Sequence, residues 1–337
     1  MGVTVKTEIL DSCPMCQSKR IREWCKGYDR LLGINEQIFT YSKCKNCRLV
    51  FLSERPLETE IYRYYPENYG PYLASGLTHY SKKSSPSRKS QVLLKSISYK
   101  IARRANVLVN KVYTNDFSRN LQRSYALNRQ GSLLLDFGCG SDAFLNEARA
   151  KGWQTIGMDF SEQSVAQVIK SQHTGILYAS EEAWNRIEDS SLDFVRMNHV
   201  LEHLYHPARV LEMIFRKMKP GATLHIAIPN PDGLSASVFR SLWHGLDCPR
   251  HIMLYSPQVL TNFLQTIGFQ KTDLLFEHIT KDFARSLGYY EAGKSLIAPD
   301  QVSGKMFDPR LQEILNVPAA LAARLKKSDR FHAFATK

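Results

Sequence analysis

Residues 133–152 read "LLLDFGCGSDAFLNEARAKG", and the order of residue types within them decides the fold. "LLLDF" is a short, mostly apolar run suited to a buried strand, with one carboxylate, Asp136, set into it. Gly138-Cys139-Gly140 follows, and glycine permits the positive φ angles of a sharp turn. "AFLNEARAK" then has helical spacing and stops at Gly152. A strand that enters a helix through a glycine turn opens a βαβ unit.

The alternation continues outward from that stretch. "QTIGMD" reads as a strand, Ser161 as the N-cap of "EQSVAQVIKSQ", "GILYA" and "LDFVRM" as further strands, and "PARVLEMIFRKM" as a helix ended by Lys219-Pro220-Gly221. "ATLHIAI", a helix from Ser256-Pro257 to Gly268, and the strand "FQKTDLLFEH" come next. Residues 285–325 read as a mainly helical insertion before a last strand, "RFHAFAT". Strands and helices in this order predict an α/β fold, a mostly parallel sheet covered by helices on both faces.

Composition supports a folded chain. Of its 337 residues, 43% are hydrophobic and 23% charged, as in ordinary globular proteins. No run approaches the length of a membrane span, and "MGVTVKTEIL" lacks the basic start and apolar stretch of a secretory signal, so a cytoplasmic address is expected. The net charge of +13 is concentrated: residues 81–130 hold twelve Lys or Arg against one acidic residue, Asp116. Residues 76–130 therefore read as a linker followed by a basic amphipathic helix over 92–112. Its basic face is either a solvated surface or a contact for an anionic membrane, glycan or nucleic acid.

Residues 1–75 have a different character, with short β-like runs, an aromatic exit "IYRYYPENYGPY", and four of the chain's seven cysteines in two pairs. Cys13-x-x-Cys16 and Cys44-x-x-Cys47 are separated by twenty-seven residues. Two such knuckles present four thiolates to one tetrahedral Zn²⁺. With no open coordination position the metal is expected to be structural, stapling a module too small for its own core. Cys25, Cys139 and Cys248 read as packing or pocket residues.

What ligand the glycine turn takes depends on its acidic neighbours. "GCGSDA" satisfies G-x-G-x-x-A, and Asp159 lies nineteen residues after Gly140, so a dinucleotide site is formally allowed. Asp142, however, would place a carboxylate beside the pyrophosphate at the helix N-terminus. A phosphate-free, cationic ligand avoids that repulsion, and Asp142 is then expected to cap the helix.

On "LLDFGCGSDAFL", "GMDFS", "LDFVRMNHVLEHLYHP" and "MKPGATLHIAIPN", residues 131–337 resemble the class I S-adenosylmethionine-dependent methyltransferases. The resemblance implies a Rossmann-like, seven-stranded sheet with an antiparallel last strand. It also implies a cofactor loop of Asp136, Gly138 and Gly140, a ribose acceptor in Asp159, an adenine neighbour in Phe160, and Asn198 and His199 lining the cofactor. Asp142 departs from the family's usual third glycine, and "LYASEEAW" leaves only Ser180 at the adenine edge. With the cysteine module in front, the chain resembles a bacterial subgroup associated with sugar and surface-polysaccharide modification. A small-molecule or lipid-linked glycan acceptor follows from that likeness. The alternatives are RNA methylation, a non-catalytic zinc-stapled binding protein with a disabled loop, and an NAD-dependent dehydrogenase.

His199-Val200-Leu201-Glu202-His203 also matches H-x-x-E-H, an inverted zinc-protease signature that needs both histidines on one helical face. In the methyltransferase reading His203 and His251 are the candidate catalytic bases, with Asp247 and Arg250 as substrate contacts.

Overall fold

The structure is a computed structural model that describes residues 5–66, 121, 131–292 and 309–337. The basic helix over 92–112, most of the 76–130 linker and the centre of the 285–325 insertion lie outside the described residues.

The N-terminal module comprises β1 (Thr7–Ile9), β2 (Ile21–Gly27), β3 (Phe39–Cys44), β4 (Val50–Leu52) and β5 (Glu54–Pro56). β1 pairs antiparallel with β5, and β2, β3 and β4 form an antiparallel meander. The second body contains β6 (Leu133–Phe137), α1 (Ala143–Ala150), β7 (Gln154–Asp159), α2 (Glu162–Lys170), β8 (Thr174–Leu177) and β9 (Leu192–Asn198). It continues through α3 (Pro207–Lys217), β10 (Met218–Pro229), α4 (Leu234–Phe239), β11 (Met253–Leu254) and α5 (Pro257–Ile267). β12 (Lys271–Phe276), α6 (Lys281–Ala292), α7 (Pro309–Arg324) and β13 (Arg330–Thr336) complete it.

Seven of these strands make one sheet in the order β12-β13-β10-β9-β6-β7-β8. β13 runs antiparallel to both its neighbours, as expected of "RFHAFAT", and the other pairings are parallel. The order along the chain reverses between β6 and β9, and a crevice opens at the carboxyl ends of strands at such a switch point. The loops after β6 and β9 are Gly138–Gly140 and Asn198–His199, so the fold brings those two motifs side by side.

Alternation along β6 explains why both faces are covered. Leu134 joins Leu145, Ala148, Trp153 and Val168 on one face, whereas Leu135 and Phe137 join the larger core on the other. α3 buries Val210, Leu211 and Ile214 at helical spacing, and α5 buries Val259, Leu260, Phe263 and Leu264. Each such side chain contributes about 1.5–3 kcal/mol on leaving water. Ser161 caps α2 by accepting the Ser164 N–H at 3.2 Å.

Lys219-Pro220-Gly221 behaves differently from expectation. β10 begins directly at Met218, and its register against β9 shifts between Met218 and Thr223, so the Pro-Gly step is a bulge inside the strand's pairing range. Gly221 takes φ +78° and donates its N–H to the Lys337 carbonyl at 2.9 Å.

The module shares its core with the second body. β11 pairs with β4 and extends the meander to a four-stranded sheet, and Phe39, Tyr41, Phe51 and Leu52 belong to the same apolar cluster as Leu246, Ile252 and Tyr255. The Tyr41 hydroxyl lies within hydrogen-bond distance of the carbonyls of Leu246 (3.1 Å) and His251 (2.8 Å). The fully buried Arg250 guanidinium reaches Asp29 of the module at 2.8 Å and Asp247 at 2.7 Å.

Candidate active site

A cavity of about 1240 Å³ opens at the carboxyl ends of β6, β7 and β9. One wall comes from the sheet loops, and the other from the module together with residues 244–251 and α6.

On the first wall the backbone sets the shape. Gly138 (φ +71°) and Gly140 (φ +61°) both adopt the left-handed conformation, and a Cβ on Gly138 would lie 2.3 Å from a Val200 methyl. Asp159 accepts the N–H of Gly140 at 2.8 Å and of Ser161 at 2.9 Å, one on each oxygen. A carboxylate has room for about four such contacts, so lone pairs remain for ligand hydroxyls in the cavity it lines. Burial raises its pKa, against the pull of those N–H groups. Phe160 is 51% exposed at the rim, its ring edge-on to Phe137 and Tyr178. Asn198 and His199 also line this wall.

Two acidic residues of the motif face elsewhere. Asp136 is fully buried beneath the loop and outside the cavity lining; both its oxygens lie 3.0 Å from Nη1 of Arg196. Burial raises its pKa while Arg196 opposes the rise. Its contribution to the loop is therefore indirect: it holds Arg196, which lines the cavity and lies over the Phe144 ring at 4.0 Å. Asp142 does not cap α1 through its side chain. It accepts instead from Asn146 (2.9 Å), Gln167 (2.7 Å) and Ser171 (2.5 Å), tying α1 to α2 with its carboxylate outside the cavity lining. Burial would raise its pKa, and these three donors outweigh that and lower it. The carboxylate that conflicts with a phosphate ligand on the sequence alone is thus engaged between α1 and α2, away from the cavity lining. Ser180 likewise turns away, capping the short helix that begins at Glu181 by accepting the Glu182 N–H at 3.3 Å.

Seven strands in this order, a glycine loop after the first of them and a carboxylate after the second make a Rossmann-like sheet with its cavity at the switch point. Residues 110–274 match the model of the methyltransferase domain family. The second body is a class I S-adenosylmethionine-dependent methyltransferase domain. The chain is similar to a probable S-adenosylmethionine-dependent methyltransferase of Mycolicibacterium smegmatis, 29% identical over 43% of this chain and 54% of that protein. It is also similar to a malonyl-[acyl-carrier protein] O-methyltransferase of Erwinia billingiae, 27% identical over 40% of this chain and 53% of the relative. The chain spans about half the length of these curated relatives. Among solved structures, a SAM dependent methyltransferase from Archaeoglobus fulgidus superposes with a TM-score of 0.45 at 18% identity, covering 74% of this chain and all of that one.

The second wall of this methyltransferase domain carries the histidines. His203 Nδ1 lies 3.0 Å from the Arg250 carbonyl, which can only accept, so Nδ1 carries the hydrogen and Nε2 keeps its lone pair. The Tyr65 hydroxyl sits 2.9 Å from the same Nδ1. His251 Nδ1 is fixed in the same tautomer by the Gly245 carbonyl at 2.9 Å. The two rings meet edge to face with centroids 4.6 Å apart. Burial, then the neighbouring His251, push the His203 pKa down to about 4. His251 Nε2 lies 3.8 Å from Glu202 Oε1 and 3.8 Å from Asp247 Oδ2, so a proton arriving there is flanked by two carboxylates. Glu202 is fully buried, and its Oε2 has no hydrogen-bond partner among the described residues. Burial would raise its pKa, but His199, His251 and His203 outweigh it and bring it to about 2.

His199 has both nitrogens engaged, Nδ1 with Glu202 (3.0 Å) and Nε2 with Arg330 (3.3 Å), and its φ of +57° places it outside any helix. Only Leu201–His203 form a single 3-10 turn, which removes the two-histidine helical face an inverted zinc protease needs. Asp247 and Arg250 pair with each other at 2.7 Å and so serve the wall rather than offering free charge. Sequence reasoning gave no role to Tyr65, Arg30, Arg285 or the Asp282–Arg330 pair, which come from segments far from the glycine loop. The aromatic run containing Tyr65 was the one visible signal.

In the module, Cys13, Cys16, Cys44 and Cys47 bring their sulfurs within 4.8 Å of one another. The Cys13–Cys47 and Cys16–Cys44 separations are 3.5 and 3.6 Å. Disulfide sulfurs stand about 2.05 Å apart, whereas four thiolates about 2.3 Å from one tetrahedral ion are roughly 3.8 Å apart. Asn46 donates to the sulfurs of Cys44 (3.3 Å) and Cys16 (3.6 Å), as donors around bound thiolates do. The cluster could therefore hold a metal ion. Cys25 and Cys248 are buried outside it, and Cys139 packs beneath the loop toward Gly157.

Proposed function

We propose that the protein transfers the methyl group of S-adenosylmethionine to a hydroxyl-bearing small molecule, a sugar or glycan-type acceptor, free or lipid-linked. The observation that carries this reading is the single cavity joining Gly138, Gly140, Asp159 and Phe160 to His203 and His251. Bound S-adenosylmethionine would supply an electrophilic methyl group on a sulfonium. Asp159 would hold the ribose hydroxyls, Phe160 would flank the adenine, and Asn198 and His199 would line the remainder of the cofactor. His251, with Glu202 and Asp247 3.8 Å from its Nε2, would take the acceptor's proton. His203, kept neutral by its surroundings, would orient the hydroxyl or share that task. Base assistance of this kind is worth about 10²–10⁴-fold.

A sugar-type acceptor is supported by the two-part organisation of the chain and by the polar cavity wall, which includes Tyr62, Tyr65 and Glu58. Oxygen as the receiving atom is supported by the printed name of the malonyl-carrier relative. The four-cysteine cluster suits structural Zn²⁺, closing the module that forms the acceptor wall. A cytoplasmic enzyme fits the absence of any membrane-length apolar helix among the described residues. Calorimetric titration with S-adenosylmethionine and S-adenosylhomocysteine, with NADH as control, tests the reading. Micromolar binding of the first two alone supports it; binding of NADH alone, or of none, removes it. Transfer of labelled methyl groups to nucleotide sugars and lipid-linked glycans then tests the acceptor class.

A further inference from the structure

We infer that Arg30 and Arg285 form an oxyanion subsite on the acceptor side of the cavity, taking a phosphate or carboxylate group carried by the molecule to be methylated. This rests on the reading of that cavity given above.

Charge pairing within the cavity singles these two residues out. Asp282 holds Arg330 through paired contacts at 2.5 and 2.8 Å, and Asp247 holds Arg250. Arg196 is held by Asp136, and Asp159 accepts the backbone N–H groups of Gly140 and Ser161 on the opposite wall. Arg30 and Arg285 line the same cavity, are only partly exposed, and have no carboxylate partner among the described residues. Guanidinium groups withdrawn from water are ordinarily paired.

What does surround them suits an incoming anion. Arg30 lies over the Tyr28 ring at 4.0 Å, and its Nε is buried without a hydrogen-bond partner among the described residues. Burial lowers its pKa, the expected response of a cation with no anion nearby. Arg285 donates to His244 Nε2 at 2.8 Å, a contact that uses one nitrogen and requires a neutral imidazole. Burial, then Arg285, hold His244 at about 3, so that imidazole adds no competing charge. Tyr289, 3.5 Å from the other nitrogen of His244, is near enough to both guanidiniums to be influenced by each. The two arginines come from opposite supports, the module and α6, and a guanidinium fork matches two oxygens of one phosphate or carboxylate. The module would thus help select the acceptor as well as close the wall.

The test titrates the full chain, saturated with S-adenosylhomocysteine, with inorganic pyrophosphate and separately with glucuronate. Wild type, Arg30→Gln, Arg285→Gln, Arg285→Lys and the surface control Arg186→Gln are compared. Saturable binding of one probe is expected, about tenfold or more weaker in each Gln variant, partly retained in Arg285→Lys and unchanged in Arg186→Gln. The stronger probe tells a phosphoryl-bearing from a carboxylate-bearing acceptor. Absence of binding by both probes, or equal binding in all variants, overturns the subsite. Loss of S-adenosylhomocysteine affinity in folded Arg30→Gln or Arg285→Gln overturns it too, by giving those residues to the cofactor's own carboxylate. Pyrophosphate or glucuronate binding that responds to the two arginines while S-adenosylhomocysteine fails to bind would remove the methyl-transfer reading and leave the anion site standing.

Discussion

The two walls of the cavity are built by different means. The wall of Gly138, Gly140, Asp159 and Phe160 is made within about twenty-five residues, largely by backbone conformation and one carboxylate that pins the loop. The opposite wall gathers Arg30, Tyr65, His203, His251 and Arg285 from five separate segments. It is held by buried ion pairs, an inter-body strand pairing and the cysteine cluster. The first wall is local and suits a constant ligand. The second is assembled and can vary with the acceptor, so damage to either should be separable from damage to the other.

The largest separation should come from the four-cysteine cluster and the zinc proposed for it. Chelation or Cys44→Ser should lower the unfolding midpoint and abolish acceptor turnover, because structural zinc contributes on the order of 10 kcal/mol to small modules. S-adenosylhomocysteine affinity, measured below the new midpoint, should change far less; equal loss of both would show that the walls are not independent. Next, His251→Ala should reduce turnover by about 10²–10⁴-fold with S-adenosylhomocysteine affinity retained. Undiminished turnover in that variant and in His203→Ala would take both histidines out of the mechanism.

Asp159→Ala works on the other wall. It removes two charge-assisted hydrogen bonds and the proposed ribose acceptor, and should weaken S-adenosylhomocysteine roughly 10–100-fold in a calorimetric titration. A smaller effect concerns pH. His203 is held near 4 in the folded chain against 6.5 ordinarily, so its folded state prefers the neutral ring. The associated stability is fully present above about pH 6.5 and is lost as pH falls toward about 4. Urea midpoints across that interval should decline less steeply in His203→Gln, and identical slopes would discard the assignment. Smallest of all, Asp142→Asn should cost about 1–3 kcal/mol through the α1–α2 tie and shift S-adenosylhomocysteine affinity less than twofold. A large affinity change would mean that this carboxylate does reach the ligand.

The alternating pattern after residue 131 was enough to predict a mostly parallel sheet and the glycine turn, because strand and helix periodicities are local properties, whereas the antiparallel last strand was expected only from the family resemblance. Spacing alone also brought out the four cysteines as one group, since a knuckle is formed within four residues. Other features were not local. Asp142 looked like a cap because it precedes a helix, yet three donors, two of them on or next to a helix twenty-five or more residues on, decide where it points. Asp136 looked like a ligand contact, but the burial of β6 and the neighbouring strand's Arg196 turn it into a buried partner. His203 and His251 were nameable as candidates, but their tautomers, their 4.6 Å approach and the carboxylates beside them depend on carbonyls and side chains from other loops. The sequence by itself therefore determined the elements and the cofactor-side loop, which follow from short-range conformational preference. Tertiary structure alone decided which charges were neutralised and which, Arg30 and Arg285, were left facing the cavity, because pairing in a folded chain depends on distance in space rather than along the backbone.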